Sequence, residues 1–427
     1  MSRIAVIGAG VVGMTAALAL QRRGHAVSVF DPKGPGEGAS YGNAGFLATE
    51  LIDPLASPVS LRQAPRLWFD PHGALALPAR YLPRLAPWLA RFLAAARPGQ
   101  VESGRRALAS LNGAAVDAWR RCLADIGAEH ELVASGYLQV WASARGRADA
   151  RARMDALRRW GHEVEWLEAA ELRALEPGLS GMLSHGLYFP GAHQVRDPYA
   201  LVRRLAEAFE ARGGELHRTG VNRLAPQGDG VRLHTDDGVR DAERAVVAAG
   251  AWSHRLAAGL GLSIPLETER GYHLTLPGHG RALSRPVGSA ERRCVLTPMS
   301  CGLRIVGFTE LGGLALPPRA RRYASLRRHA AALLRDPTGF GDGAEEWMGF
   351  RPTLPDSLPV IDVHPDHPAV AFAFGHQHLG LTQAAITAEL LAARLAGEPP
   401  VLDLAPFRVT RFAGRRSAPR EACRGGA

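Results

Sequence analysis

The chain has 427 residues and 46% of them are hydrophobic, which is enough for two domains with a sizeable core. Its formal net charge is +10, but arginine carries almost all of the positive charge, and no dense basic block precedes the C-terminal tail. This spread predicts no nucleic-acid partner. No segment approaches the roughly 20 uninterrupted apolar residues of a membrane span. Composition therefore excludes an integral membrane protein and favours a soluble or peripheral one.

The cysteines suggest neither disulfide nor zinc chemistry. The four cysteines are far apart in the sequence and form no C-x-x-C pair: Cys122, Cys294, Cys301 and Cys423. Cysteines without partners are typical of proteins in a reducing cytoplasm.

The C-terminal tail has a composition typical of disorder. Arginines recur between 411 and 427, and the chain ends in Gly and Ala, so we predict a disordered tail over 411–427.

The N-terminal residues SRIAVIGAGVVG contain an apolar strand followed by three spaced glycines. A secretory signal also begins with a positive residue and an apolar run, but glycines interrupt this run, and Gln21, Arg22 and Arg23 follow in place of a cleavage site. The pattern instead predicts a strand over 4–7, a tight turn and a helix over 11–23. Gly8, Gly10 and Gly13 have the G-x-G-x-x-G spacing of a dinucleotide-binding turn.

A second strand, over 26–30, completes the βαβ unit and ends at Asp31, 18 positions after Gly13. The first glycine permits the turn, the second lets the backbone approach a pyrophosphate, and the third lets the helix lie close on the sheet. The helix N-terminus, at Val11 and Val12, then faces the phosphates. Asp31 is placed to accept hydrogen bonds from ribose hydroxyls, and its charge would repel a 2′-phosphate, so NADP is the least expected dinucleotide.

Two later segments also have features of a cofactor site. The loop GEGASYGNAGFL, over 36–47, offers small and hydrogen-bonding residues to a phosphate or ring: Ala39, Ser40, Asn43, Ala44 and Gly45. The segment ERAVVAAGAWS, over 243–253, predicts a buried strand ending at a turn with Gly250 and Trp252. A helix over 198–212 and a strand over 215–224, which includes Val221, precede it, so the cofactor domain is predicted to be discontinuous.

Together with these segments, MGFRPTLPDSLPVID (348–362) and GHQHLGLT (375–382) make the chain resemble the FAD-dependent D-amino-acid oxidase superfamily. It most resembles the bacterial D-amino-acid dehydrogenase small subunits of that superfamily, over nearly its whole length. HQH stands where many of those proteins have a simpler glycine-rich turn, so the active-site loops are expected to differ.

The resemblance implies an α/β fold in which a Rossmann-type FAD-binding domain is interleaved with an α+β substrate domain carrying an antiparallel sheet. We assign residues 1–50, 190–255 and 345–410 to the FAD-binding domain, and 51–189 and 256–344 to the substrate-binding domain. No Cys or His adjoins the loop over 36–47, so FAD is expected to be bound non-covalently.

The resemblance also implies roles for individual residues. Arg351 matches the carboxylate-binding arginine of the family, and a guanidinium can grip a carboxylate in a bidentate fork. Tyr272 stands where the superfamily often has a carboxylate-binding or lid aromatic. GHQHLGLT opens a helix expected over 383–395, whose N-terminal amides would stabilise negative charge on the reduced flavin. Cofactor contacts are expected in this segment at Gly375, Leu379, Gly380, Leu381 and Thr382.

Two histidines of the same motif, His376 and His378, are candidate catalytic residues. They could instead bind a metal together with His364 and His367, but prolines intervene and no carboxylate or Cys partner is evident, so we predict no metal site.

The implied reaction is oxidation of a D-amino acid by hydride transfer from Cα to flavin N5, in amino-acid catabolism, with electrons passed to a quinone or a protein acceptor. A cyclic D-imino acid such as hydroxy-D-proline is an alternative substrate, and a glycine- or sarcosine-type oxidase is an alternative enzyme. A basic, nucleotide-regulated nucleic-acid-binding protein is an alternative of another class. The expected location is the cytoplasm or the inner face of the cell membrane, because 80–96 is amphipathic.

Overall fold

The computed structural model describes residues 1–70, 72–338 and 343–412. Its α-helices are α1 (Val11–Arg22), α2 (Pro58–Phe69), α3 (Leu82–Ala95), α4 (Pro98–Asp125), α5 (Arg147–Arg159), α6 (Ala169–Leu175), α7 (Pro198–Ala211), α8 (Ser253–Gly259), α9 (Ala320–Leu333) and α10 (Gly380–Ala396).

The strands of the first half of the chain are β1 (Arg3–Ile7), β2 (Ala26–Phe30), β3 (Phe46–Leu47), β4 (Leu75–Ala76), β5 (Leu132–Val133), β6 (Tyr137–Trp141), β7 (Glu165–Glu168), β8 (His185–Phe189), β9 (His193–Val195) and β10 (Glu215–His217). Those of the second half are β11 (Val221–Gln227), β12 (Gly230–Thr235), β13 (Gly238–Ala242), β14 (Arg244–Val247), β15 (Glu267–Leu276), β16 (Val287–Ser289), β17 (Cys294–Met299), β18 (Gly302–Leu311), β19 (Glu345–Thr353), β20 (Val360–Val363) and β21 (Val370–Phe374).

The first sheet is a Rossmann-type sheet of six strands in the order β10-β2-β1-β14-β21-β20. Its strands are parallel except for β20, which runs antiparallel to β21. The predicted βαβ unit is present, and α1 packs between this sheet and the buried helix α10. Trp119 of α4 donates a 2.8 Å hydrogen bond from Nε1 to the Leu381 carbonyl, which ties α4 to the first turn of α10.

The second large sheet is mostly antiparallel, with strands in the order β19-β15-β18-β17-β16-β6-β8-β7 and β4 attached beside β18. Helix α9 covers one face with Leu326, Ala330 and Leu333, which pack in one buried cluster with side chains of the central strands. The α/β fold with a Rossmann-type sheet and a separate antiparallel sheet is as predicted.

Several predicted boundaries differ from the observed ones. The strand expected over 215–224 is two strands: β10 extends the Rossmann sheet, whereas β11 belongs to a three-stranded antiparallel meander with β12 and β13. The helix expected from 383 begins at Gly380. Strand β19, which the predicted boundary at 345 assigned with the FAD-binding segments, pairs with β15 in the second sheet.

The predicted disordered tail falls mostly outside the described residues. Its first residue is ordered, because Arg411 donates from Nε to Asp356 at 2.7 Å and its guanidinium lies 4.3 Å from the ring centroid of Phe412. The tail prediction was therefore wrong at its N-terminal boundary, and residues 413–427, including Cys423, lie outside the described structure.

Candidate active site

The glycine turn between β1 and α1 has the geometry that a dinucleotide requires. Gly8 has a φ of +110°, and a Cβ there would meet the Ala248 carbonyl oxygen at 2.4 Å. A Cβ on Gly13 would meet the Gly8 carbonyl oxygen at 1.9 Å, so both residues are fixed by backbone packing. Gly10 differs, because the nearest atom to its added Cβ is Ser40 Oγ at 3.4 Å and the residue lines an open cavity. This cradle fits a pyrophosphate.

Asp31 and Ser40 organise the turn. One Asp31 oxygen accepts from the Ala9 amide at 3.0 Å, and the other accepts from the Lys33 and Gly34 amides. Ser40 Oγ accepts from the Val11 amide at 2.9 Å, so it caps the first turn of α1. Both residues also line the cavity, where the remaining lone pairs of Asp31 and the hydroxyl hydrogen of Ser40 can reach a ribose and a phosphate.

One cavity of about 1090 Å³ runs from this turn to the second sheet. Most of the predicted cofactor residues line it: Gly8, Gly10, Val11, Val12, Asp31, Ala39, Ser40, Asn43, Ala44, Val221, Gly250, Trp252, Gly375, Gly380 and Leu381. Gly13, Gly45, Leu379 and Thr382 are not part of the lining. Thr382, for example, uses its hydroxyl oxygen to accept from the buried Ala48 amide at 3.0 Å. The sequence motifs and the family resemblance thus predicted residues around one common cavity, but they did not distinguish lining residues from supporting ones.

Arg351 lies on β19 at the substrate-domain end of this cavity. Its Nη1 donates to Glu269 Oε1 at 3.0 Å and to the Phe308 carbonyl at 2.9 Å. A Cβ on Gly271 would lie 2.4 Å from Nη2, so glycine at that position makes room for the guanidinium. With Nη1 occupied, Nε and Nη2 form the edge that can grip a carboxylate in two parallel hydrogen bonds.

A bulge aims the Phe308 carbonyl at this arginine. The register between β15 and β18 shifts between Arg270 and Tyr272, and Phe308 adopts a φ of +68°, a left-handed conformation that is rare for a bulky residue. Strain of this kind persists where surrounding contacts fix it. Here the strained residue supplies an acceptor that helps to hold Arg351.

Glu269 is the buried counter-ion of Arg351. Burial alone would raise the pKa of the Glu269 carboxyl, but the charges of Arg351 and of His378 when protonated, with hydrogen bonds from Thr309 and Thr353, outweigh burial and hold that pKa below its usual range. The Thr309 hydroxyl donates to Oε1 at 2.7 Å and the Thr353 hydroxyl to Oε2 at 3.3 Å. Glu269 is therefore ionised at neutral pH and compensates the arginine in the absence of a ligand.

The two candidate histidines have different surroundings. His376 is fully buried, its Nε2 lies 3.0 Å from the Thr387 hydroxyl, and burial lowers its pKa to about 3. This placement fits a structural role. His378 is half-buried and faces the cavity near Glu269 and Arg351, and burial lowers its pKa below the usual range despite the carboxylate. It is thus a neutral imidazole at pH 7.

Tyr272 is not placed as predicted. Its backbone is at the cavity, but its side chain is fully buried against Phe308 and Tyr323 on the α9 face of the sheet, and its hydroxyl accepts from the Arg319 amide at 3.3 Å. Successive residues of a strand point to opposite faces, so Gly271 faces Arg351 and Tyr272 faces away. This placement does not support a carboxylate-binding or lid role.

The metal alternative finds no support in the geometry. The described residues contain no group of three or more His, Cys, Asp or Glu that could hold a metal ion. His364 uses Nε2 with the Leu260 carbonyl at 3.0 Å and Nδ1 with two backbone amides, those of Asp366 and His367. Its nitrogens are therefore occupied by the local backbone.

Sequence reasoning missed the apolar wall of the cavity and the carboxylate beside Arg351. The wall consists of side chains from α2, β4, α3 and the segments between them: Leu61, Ala64, Leu67, Leu75, Leu77, Trp88, Leu89, Phe92 and Leu93. Residues 80–96, predicted to be amphipathic, thus turn part of their apolar face to the cavity. The available signal for Glu269 was a charged residue in the otherwise strand-like segment ERGYHLTL, which begins at Glu269 and contains Tyr272.

A Rossmann sheet with an open glycine cradle, joined through one cavity to a second sheet that carries a half-buried arginine, is the architecture of a dinucleotide-dependent oxidoreductase. The sequence model of the family described as FAD dependent oxidoreductase matches residues 3–394. The chain belongs to this family, FAD is its cofactor, and the predicted resemblance is confirmed.

Relatives with assigned names cover almost the whole chain. It is 35% identical over 419 residues to a D-amino-acid oxidase of Bradyrhizobium diazoefficiens, covering 96% of this chain and 98% of that protein. It is 32% identical to a D-amino acid dehydrogenase of Cereibacter sphaeroides, covering 98% and 97%. Among solved structures, a glycine oxidase from Geobacillus kaustophilus matches with a TM-score of 0.74 and 26% identity, covering 97% of this chain and all of that one.

Within the described ranges, no helix combines the length and the apolar character needed to cross a bilayer.

Proposed function

We propose that the protein oxidises a D-amino acid to the imino acid, which water hydrolyses to a 2-oxo acid and ammonia. The observation that carries this proposal is Arg351, a guanidinium held by Glu269 in the same cavity as the FAD-binding turn. The names of the relatives from Bradyrhizobium and Cereibacter support the substrate class.

Each part of the site has a task in this reaction. The free edge of Arg351 fixes the substrate carboxylate, and the apolar wall formed by α2 and α3 excludes water and receives the side chain. FAD, when bound, supplies the hydride acceptor. With the carboxylate fixed at one point and the side chain directed to one wall, only one enantiomer presents its Cα hydrogen to the cofactor.

The reaction products give a direct test. Purified enzyme is incubated with a panel of D- and L-amino acids and an artificial electron acceptor, and the 2-oxo acid and ammonia that form are quantified. Hydrolysis of the imino acid gives the two products in equal amounts. We expect both products from D-amino acids with apolar side chains and neither from their enantiomers. Hydroxy-D-proline and glycine belong in the panel, because a cyclic product would release no ammonia and glycine would yield glyoxylate. If no member of the panel gives product, the proposal is wrong.

The electron acceptor is a separate question. We propose a quinone or a protein acceptor, supported by relatives named D-amino acid dehydrogenase at 32% and 31% identity. Oxygen is the competing acceptor, supported by the relative named D-amino-acid oxidase. Substrate oxidation in air without other acceptors should give little hydrogen peroxide, and adding a soluble quinone should restore turnover. Rapid peroxide formation would show that the enzyme is an oxidase and not a dehydrogenase. The proposed oxidation of the amino acid would not be affected.

The outer face of α2 suits peripheral contact with a membrane that contains quinone. Val59, Trp68 and Phe69 are exposed there, and the two rings stack with centroids 5.1 Å apart. Arg62 and Arg66 are exposed on the same helix. Apolar side chains beside cations favour anionic lipid. Vesicles rich in phosphatidylglycerol should sediment the enzyme, and replacing Trp68 and Phe69 with Ser should abolish sedimentation without changing turnover of a soluble acceptor.

A further inference from the structure

His378 is a half-buried residue of the cavity lining. In the part of the chain that the structure describes, no hydrogen bond or ion pair involves its imidazole ring. His376, two residues earlier, instead has its Nε2 beside the Thr387 hydroxyl. His378 lines the cavity together with Arg351 and Glu269. A half-buried ring without a protein hydrogen bond, lining the same cavity as Arg351 and Glu269, is open to a ligand group.

The backbone holds His378 in this place. An isolated bridge pairs His376 with Thr353, the residue that donates to Glu269, so the turn lies against the end of β19. Gln377 has a φ of +49°, and its side-chain nitrogen Nε2 donates to the Ser357 carbonyl, which fixes the single 3₁₀ turn over Gln377–Leu379. The ring therefore faces the Glu269–Arg351 pair, and these two are the charged groups that act on it.

The proposed function requires a proton acceptor here. At neutral pH an amino acid carries an ammonium group, and a nitrogen without a lone pair cannot expel a hydride from Cα. With the carboxylate on Arg351, the ammonium group is two bonds from the carboxyl carbon and lies within the same end of the cavity. A side chain that takes this proton lets the enzyme use the common zwitterion, whereas without one only the rare neutral amine can react.

We propose that His378 is the catalytic base that accepts the proton of the substrate ammonium group, with Glu269 stabilising the imidazolium that forms. This inference rests on the proposed function. The N–H bond of the substrate breaks and an N–H bond forms on the imidazole. The freed lone pair then makes the C=N bond as hydride leaves Cα with two electrons for the cofactor, and the imidazolium returns its proton to water.

The electrostatics of the resting site agree with this role. Burial lowers the pKa of His378, so the ring is neutral at pH 7 and keeps a nitrogen lone pair, although burial also makes it a weaker base than a free imidazole. Glu269 raises the same pKa and Arg351 lowers it. Once a substrate carboxylate neutralises Arg351, the stabilising effect of Glu269 on the imidazolium remains.

The first test is the pH dependence of flavin reduction in His378→Gln. The second-order rate constant for bleaching by D-alanine is measured under nitrogen in the parent, the variant and an exposed control, His130→Gln. At pH 7 the variant should be about 100-fold slower than the parent, the scale of general base catalysis. Its rate should rise about tenfold per pH unit and approach the parent value where the free amine predominates.

The second test needs no turnover and uses the parent holoenzyme. 2-Methylalanine has an ammonium group but no Cα hydrogen, and isobutyrate has the same carbon skeleton without the amine. Their Kd values are obtained from the perturbation of the flavin absorbance. As His378 becomes protonated at low pH, binding of 2-methylalanine should weaken relative to isobutyrate by about tenfold per pH unit. In His378→Gln this ratio should be independent of pH.

The outcomes separate the two proposals. If no D-amino acid bleaches the parent flavin, the proposed function fails. If the parent is bleached but His378→Gln lowers the rate by the same factor at every pH, His378 has only a structural role. A ratio of analogue affinities that is constant with pH in the parent would overturn the base assignment even if the variant did not fold.

Discussion

Arg351 and Glu269 determine how the site binds a carboxylate. Glu269 holds one nitrogen of the guanidinium, so the planar Nε–Nη2 edge is the part that remains for a ligand. A lysine at the same position would keep the charge but could neither bind Glu269 and a substrate in fixed directions nor form a fork.

We therefore expect Arg351→Lys to lower kcat/KM for D-amino acids by one or more powers of ten, each about 1.4 kcal/mol, with unchanged FAD content. Steady-state kinetics and the flavin spectrum measure the two quantities. Arg232→Lys is the matched control, because Arg232 is in an exposed pair with Asp241 on the meander. Kinetics of Arg351→Lys equal to those of the parent would assign the arginine a purely structural role.

A second ion pair, between Arg270 and Glu310, stabilises the fold and has no part in the proposed reaction. Arg270 donates to Glu310 at 2.6 Å with both side chains fully buried, on the α9 face of the sheet and away from the cavity. Removing one charge leaves the other uncompensated, so Glu310→Gln should lower the free energy of unfolding by about 3 kcal/mol. Denaturant unfolding measures this against the exposed control Glu207→Gln, for which we expect less than about 0.5 kcal/mol. Equal midpoints for both variants would contradict the assignment.

At the level of single elements, the turn before α1 contains two glycines that the fold requires and one that cofactor binding requires. Gly8 and Gly13 are closed in by backbone atoms, whereas Gly10 faces the cavity. Gly10→Val should therefore fold but give nearly colourless protein, because the side chain occupies the space of the pyrophosphate. Circular dichroism and the flavin absorbance check the two halves of this statement. Gly181→Val is the control, since nothing lies within 4 Å of its added Cβ. Full FAD occupancy in Gly10→Val would refute the role of this turn.

The elements that the sequence predicts well are those defined by local pattern. Glycine spacing, an apolar run and a terminal acid gave β1, α1 and β2 within one or two residues. Strand pairing between distant segments was harder to predict from the sequence. Strand β19 joined the second sheet through β15, and the segment over 215–224 divided between two sheets, because sheet membership depends on partners far away in the sequence.

The same distinction explains the outcome for single site residues. The chemistry of Arg351 and the glycines is visible in the sequence. The direction of Tyr272 depends on strand alternation and on a bulge at Phe308 in a neighbouring strand, which no local pattern reports. His378 differs from His376 only through the backbone turn around Gln377. Residue identity thus predicted the class of site, and tertiary packing decided which side chains face it.

At the scale of the whole molecule, the Rossmann sheet and the second sheet meet around one cavity, and each contributes one half of the site. FAD should be held without a covalent bond. Acid precipitation should therefore release all of the flavin into the supernatant, and its absorbance should match FAD. Flavin retained in the washed precipitate would show a covalent link.

We propose above that this cavity oxidises amino acids of one configuration with FAD. The most direct measurement is the flavin spectrum of the purified holoenzyme under nitrogen, mixed in turn with the D- and L-enantiomers of an apolar amino acid. We expect loss of the oxidised flavin band with the D-enantiomer, its recovery on adding a quinone analogue, and no change with the L-enantiomer. Bleaching by the L-enantiomer alone, or by neither across a panel of amino acids, would contradict the proposal.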